Sequence, residues 1–129
     1  MDTKLKQIAP ILLRITMSLI VLWFGYAQVT NPSTWLGFLP SWTKSLPITQ
    51  LDLIYFNGVF EIVFGIFLLM GFYTRFVALA LALHLFDIAY TVGYGALGVR
   101  DIGLAVSTLV VCFNGIDSAC LDKIFVNKV

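Results

Sequence analysis

Four apolar stretches, each long enough to cross a bilayer as a helix, take up most of this chain, and each one carries an ionisable residue. They run over about 8–29, 51–71, 76–94 and 98–115. A spanning helix needs about 20 mostly apolar residues. Inside lipid every backbone N–H and C=O must find its partner within the segment, so stretches of this kind fold as helices. The polar exceptions are Arg14 in the first, Asn57 and Glu61 in the second, His84 and Asp87 in the third, and Arg100 and Asp101 at the mouth of the fourth. A charge at the centre of a membrane helix costs about 2.5–3.5 kcal/mol even on the lenient insertion scale, and it persists where it pairs or faces a cavity. The expected fold is an all-α membrane protein. It is an antiparallel bundle of four transmembrane helices with a polar interior, one domain over 1–129.

Composition excludes the alternatives. The chain is 60% hydrophobic and 12% charged, against about 45–50% and 25% in soluble domains. A chain of 129 residues cannot bury so much apolar surface in water, and disorder needs the opposite composition. A net charge of +1 leaves no electrostatic footprint for nucleic acid. The two cysteines, Cys112 and Cys120, are spaced as in no metal or redox motif, and Cys112 sits in an apolar run, where packing explains it. His84 is the only histidine, so no pair of histidines exists to hold a haem. No CxxC, P-loop, GxGxxG or nucleophile motif occurs. No intrinsic cofactor is therefore expected.

Short links make consecutive helices antiparallel neighbours. Residues 72–75 form a tight turn, and Gly93, Gly95 and Gly98 loosen the last link. The first link, 30–50, is longer and holds Pro32, Pro40, Pro47, Trp35 and Trp42. Tryptophan favours the membrane–water boundary, so this loop is expected to lie on the bilayer surface, as an anchor more than as a lid. The first segment has the basic start (Lys4, Lys6) and a small-x-small site (Gly25-Tyr26-Ala27) of a secretory signal. Its apolar run is too long for one and contains Arg14, so it reads as a spanning helix. With four crossings both termini share a side with the 72–75 turn. That side carries Lys4, Lys6, Arg75, Lys123 and Lys128 against Lys44 and Arg100 opposite, which points to cytoplasmic termini in a prokaryotic cytoplasmic membrane.

Each helix aligns its polar and small residues at helical spacing. The stripes are Arg14, Ser18, Gly25 and Gln28; Asn57, Glu61 and Gly65; His84, Asp87 and Thr91; and Asp101, Ala105, Thr108 and Cys112. At about 1.5 Å rise per residue, Glu61 and His84 fall near mid-membrane. Arg14 lies toward the termini, within reach of the level of Glu61, and Asp87, Arg100 and Asp101 lie toward the other boundary. Together with Asn57 these residues form a candidate polar track across the bilayer. Arg14 and Arg100 against Glu61, Asp87 and Asp101 sum to −1 with His84 neutral, so one proton is expected on His84, Glu61 or Asp87. Proton uptake coupled to a redox or transport step would use such a set, with Glu61 and His84 as the catalytic candidates. The plainer reading is that the charges hold the helices in register.

Several segments resemble the DoxX family of small prokaryotic four-helix membrane proteins. They are "ILLRITMSLIVLWFGYAQV", "FEIVFGIFLLMGFYTR", "RDIGLAVSTLVV" and the tail "NGIDSACLD". Arg14, Glu61, Gly65, Gly71, Thr74, Arg75, Arg100 and Asp101 match the family pattern by position. His84 and Asp87 stand outside it, and Gln28 stands where the family usually has a lysine. The related DoxD proteins are membrane subunits of a thiosulfate:quinone oxidoreductase, and some DoxX proteins are associated with thiol oxidation. The resemblance thus implies a membrane subunit of a quinone-linked or thiol/sulfur oxidoreductase system, with a bound quinone and a partner subunit. The rival classes are a non-catalytic scaffold, with Arg14–Glu61 and Arg100–Asp101 groups specifying helix pairing, and a small proton-linked carrier, which would need a homo-oligomer.

Overall fold

The structure, a computed structural model, describes residues 2–39, 41–92, 95–117, 119–122 and 124. Expectations placed on Pro40, Gly93, Tyr94, Lys123 and Lys128 lie outside the described residues. Four helices carry the fold: α1 (Asp2–Thr30), α2 (Gln50–Met70), α3 (Thr74–Val92) and α4 (Ala96–Asn114). Among the described residues there is no strand. All four helices are long and apolar enough to cross a membrane; at 19 residues, α3 and α4 span about 28 Å, close to the hydrocarbon thickness.

Helix ends differ from the sequence boundaries by one or two residues, except at the start of α1. That helix begins at Asp2 rather than near residue 8 and takes in Lys4, Lys6 and Pro10. Hydropathy marks where lipid contact begins, whereas lysine is a good helix former and carries the helix on into the polar boundary. Thr49 caps α2, its hydroxyl accepting from the Asp52 N–H at 3.1 Å. Gly71 ends α2 at φ 74, with the Phe72 N–H donating to the Phe67 carbonyl at 2.9 Å and the Gly71 N–H to that of Leu68 at 3.1 Å. This is the left-handed Schellman ending that favours glycine.

Packing is most extensive between α1 and α2 and between α3 and α4, while α2 and α3 meet along a thinner seam. Met17, Val21, Leu68, Val77, Ala78, Leu81 and Val111 form the apolar core. Outward faces carry large apolar side chains such as Leu12, Leu19, Phe56, Phe76, Leu83 and Phe113. Arg14, Ser18, Gln28, Glu61, Asp101 and Thr108 are buried instead, the distribution expected where lipid is the outer solvent. Gly25 and Gly58 let α1 and α2 approach closely: a Cβ on Gly25 would lie 2.8 Å from the Gly58 carbonyl oxygen.

Three of the four stripes turn inward and one does not. On α3 the buried face is Thr74, Val77, Ala78, Leu81, Ala82, Leu85 and Ala89. His84 and Thr91 are half-buried and Asp87 is exposed. A small apolar face lets α3 sit tightly on α4, so packing set the rotation of the helix and left its polar residues at the edge.

The link between α1 and α2 folds into two 3-10 helices, Pro32–Phe38 and Ser41–Ser45. Trp35 stacks edge-on against Phe24 of α1, with ring centroids 5.9 Å apart. Gln50 donates to the buried Thr43 hydroxyl at 2.8 Å. At the opposite end, the segment after α4 returns to the turn between α2 and α3. The Leu121 and Asp122 N–H groups donate to the Met70 and Gly71 carbonyls at 3.1 and 3.0 Å. The Asp122 carboxylate accepts from the N–H groups of Tyr73 (2.6 Å) and Thr74 (2.7 Å) and from the Thr74 hydroxyl (2.8 Å). A carboxylate on the first N–H groups of α3 is an N-terminal cap supplied from a distant part of the chain.

Candidate functional site

Glu61 is the centre of a polar cluster built by three helices. Its side chain is only 3% exposed. Gln28 of α1 donates to Oε2 at 3.1 Å. Asn57, one turn earlier on α2, donates to Oε1 at 3.3 Å and to the Gln28 amide oxygen at 2.7 Å. From α3, the His84 Nε2 lies 3.1 Å from the same Oε1, and the His84 ring packs against Phe60 with centroids 4.8 Å apart. The spacing i, i+4 puts Asn57 and Glu61 on one face, and the Gly25–Gly58 contact brings Gln28 to their level. The arrangement holds a carboxyl group in a fixed rotamer with an imidazole behind it, a pair able to hold and pass one proton.

Glu61 lines a partly open cavity of about 530 Å³ bordered by α1, α2, the ends of α3 and α4, and the two 3-10 helices. Such a volume is that of a small-molecule site. Gln28, Asn57 and Glu61 form its polar inner wall, and Trp23, Phe24, Trp35, Phe38, Trp42 and Phe56 supply aromatic faces. Asp87, Arg100 and Asp101 complete the lining. The loop expected to be a surface anchor is therefore part of the cavity wall as well: Trp35, Phe38, Leu39, Trp42, Thr43 and Leu46 all face the cavity. A loop segment carries no periodicity from which that role could be read.

The single polar track divides in two. Arg14, 1% exposed, does not meet Glu61. Its Nε donates to Asp117 at 2.7 Å, and its Nη1 donates to the carbonyls of Leu68 (2.9 Å) and Leu69 (2.5 Å) in the last turn of α2. Glu61 lies seven residues before Leu68, about 10 Å away along the helix axis, beyond reach. The arginine neutralises the carbonyl end of α2, and its counterion comes from the segment after α4. Burial pushes the Asp117 carboxyl up, but hydrogen bonds from Arg14 and from the Ala119 N–H outweigh it, and the carboxyl sits below its ordinary value.

The Arg100–Asp101 ion pair lies within α4, and the group reaches another helix only through the Arg100 contact with a ring on α1. Arg100 binds the adjacent Asp101 at 3.0 Å on the same helix and stands over the Phe24 ring at 5.2 Å. Asp87 faces the cavity with no hydrogen bond or ion pair among the described residues. Of the remaining matched positions, Gly65 packs under Leu22, and Gly71 and Thr74 hold the returning C-terminal segment. The Arg75 guanidinium lies against Gly115.

Two residues that work were not singled out from the sequence, Asp117 and Asp122. Both lie past the last helix, and the tail motif was the signal that pointed to them. Cys120 packs against Gly71; burial pushes its thiol up, so it stays a neutral packing group at ordinary pH. Among the described residues no group of His, Cys, Asp and Glu is arranged to hold a metal ion.

The family model described as DoxX matches residues 9–94. That span covers Arg14, Asn57, Glu61, His84 and Asp87 and stops before α4 and the returning segment. Neither a curated protein nor a solved structure matches the chain.

Proposed function

The chain belongs to the DoxX family, a multi-pass membrane protein with four apolar helices, and on that premise we propose that it is the membrane subunit of a quinone-linked oxidoreductase system. The observation that carries the reading is the cavity itself: aromatic on its walls, polar at its inner end, and backed there by the Glu61–His84 pair. Its residues fit a ring with an apolar tail, since flat aromatic faces pack on a ring and the few convergent polar groups orient it. A quinone, when bound, supplies two-electron, two-proton chemistry. Gln28 and Asn57 fix the Glu61 carboxyl toward the ring, Trp35, Phe38 and Trp42 offer it aromatic faces, and Glu61 passes its proton to and from the His84 Nε2. The electrons come from a partner oxidoreductase subunit.

Lys4, Lys6 and Arg75 at the end of the bundle that holds the termini, against Lys44 and Arg100 at the other, support cytoplasmic termini in a prokaryotic cytoplasmic membrane. The cavity and the Trp-bearing link beside it then lie toward the outer face. Two measurements test the reading. Mass spectrometry of an organic extract of the purified protein is expected to find an isoprenoid quinone at near-stoichiometric amount, and bulk lipid alone would overturn it. Glu61→Gln is expected to lower quinone turnover in membranes about 10²-fold, the lower scale of a lost general acid–base group; an unchanged rate at equal abundance removes Glu61 from the mechanism.

A further inference from the structure

The hydrogen-bond directions at Glu61 say which redox form of a ring the cavity receives. Glu61 presents only acceptors while ionised, and its neighbours are turned to serve it. Both hydrogens of the Asn57 amide are engaged, one on Gln28 and one on Glu61. One hydrogen of the Gln28 amide is on Glu61. Turning the Asn57 amide over would set its oxygen against those of Glu61 and Gln28, so the network locks the orientation. The inner wall therefore offers lone pairs on the carboxylate and on the Asn57 oxygen, and a single amide hydrogen beside them. The charged groups elsewhere in the lining differ. Asp87 is an acceptor with no partner among the described residues, whereas Arg100, with its Nε and one Nη2 hydrogen on Asp101, keeps three N–H donors away from the Glu61 end.

A carbonyl pushed into this end meets mostly acceptors and finds one donor, the free Gln28 amide hydrogen. A hydroxyl donates to Glu61 and completes its coordination. We infer that the cavity selects the hydroxylated form of a ring amphiphile, a hydroquinone or similar phenol, over the carbonyl-bearing quinone, with one ring hydroxyl donating to the Glu61 carboxylate. The inference rests on the ring-binding reading above and names the form that the site holds. Binding involves a hydrogen bond alone; no bond is made or broken. In a reaction sequence the site then serves a step that consumes a hydroquinone or releases one.

The test is anaerobic equilibrium dialysis of the purified full chain in detergent against a short-chain benzoquinone and, separately, its hydroquinone. The wild type is expected to bind the hydroquinone about tenfold more tightly or better, the scale set by a buried polar group left unpaired in the disfavoured complex. Glu61→Gln, whose amide donates as well as accepts, is expected to narrow or reverse that preference. Equal or tighter binding of the benzoquinone by the wild type overturns the inference and leaves the ring-binding reading standing. An unchanged preference in a folded Glu61→Gln variant overturns it too, because recognition would then lie elsewhere. Binding of neither compound overturns both. The wild-type ratio decides the matter alone where the variant does not fold.

Discussion

Replacing Arg14 by methionine separates the observed wiring from the one the helix stripes suggest. The substitution keeps a long flexible side chain in a site where Arg14 is 1% exposed, so packing changes little. It removes the donors to Asp117 and to the Leu68 and Leu69 carbonyls. Asp117, whose side chain is 3% exposed, keeps the Ala119 N–H at 2.9 Å but loses its counterion. Stranding one member of a buried ion pair costs about 3–5 kcal/mol. The expected loss is of that size, measured as the unfolding free energy in mixed micelles from denaturing-detergent titration followed by circular dichroism. Adding Asp117→Asn removes the stranded charge and is expected to recover about 2 kcal/mol, because a pair deleted on both sides is far less harmful than one broken. A Glu61 substitution in the Arg14→Met background is expected to recover nothing, since the two side chains do not meet. A loss below about 1 kcal/mol, well under the cost of a stranded partner, or rescue through Glu61 rather than Asp117, would refute the assignment.

Three more outcomes follow from the same geometry. The Asp117 carboxyl titrates below its ordinary value in the folded chain. Its stabilisation is therefore complete above the ordinary aspartate value and declines as pH falls through the lower folded one. Asp117→Asn is expected to flatten the acid limb of thermal stability, and an unchanged limb would count against the pairing. Gly25→Ala places a methyl 2.8 Å from the Gly58 carbonyl oxygen; prying α1 from α2 is expected to cost about 1–3 kcal/mol and to weaken any ligand held at Glu61, read by unfolding and by dialysis. Asp122→Ala leaves the Tyr73 and Thr74 N–H groups without their cap. A loss of about 0.5–2 kcal/mol is expected, and hydrogen exchange at those two amides should quicken ahead of the rest of α3.

Local periodicity and hydropathy carry a great deal here, and their reach is visible residue by residue. Asn57 and Glu61 share a face by the i, i+4 rule, and no tertiary contact is needed to say so. The level of His84 with Glu61 also follows from counting rise per residue along antiparallel helices, and the two meet at 3.1 Å. The same counting failed for Arg14. It gives depth to within a long side chain's reach, and within that reach two carboxylates competed. The nearer one, Asp117, stands 103 residues away in a segment without helical period, where no pattern predicts direction.

What the sequence determined by itself is the class of solvent and the set of elements: four apolar helices in a bilayer, with a small set of polar groups that lipid will not hold. Only the tertiary structure decided how those groups are shared out. The small apolar face of α3 packs on α4 and leaves Asp87 exposed at the edge of the cavity. The returning tail reaches Arg14 first, and the Trp-bearing link forms part of the wall of a cavity. Each of these depends on the axial rotation of packed helices and on where a loop lands. Both are set by close packing between distant parts of the chain, which no local pattern encodes.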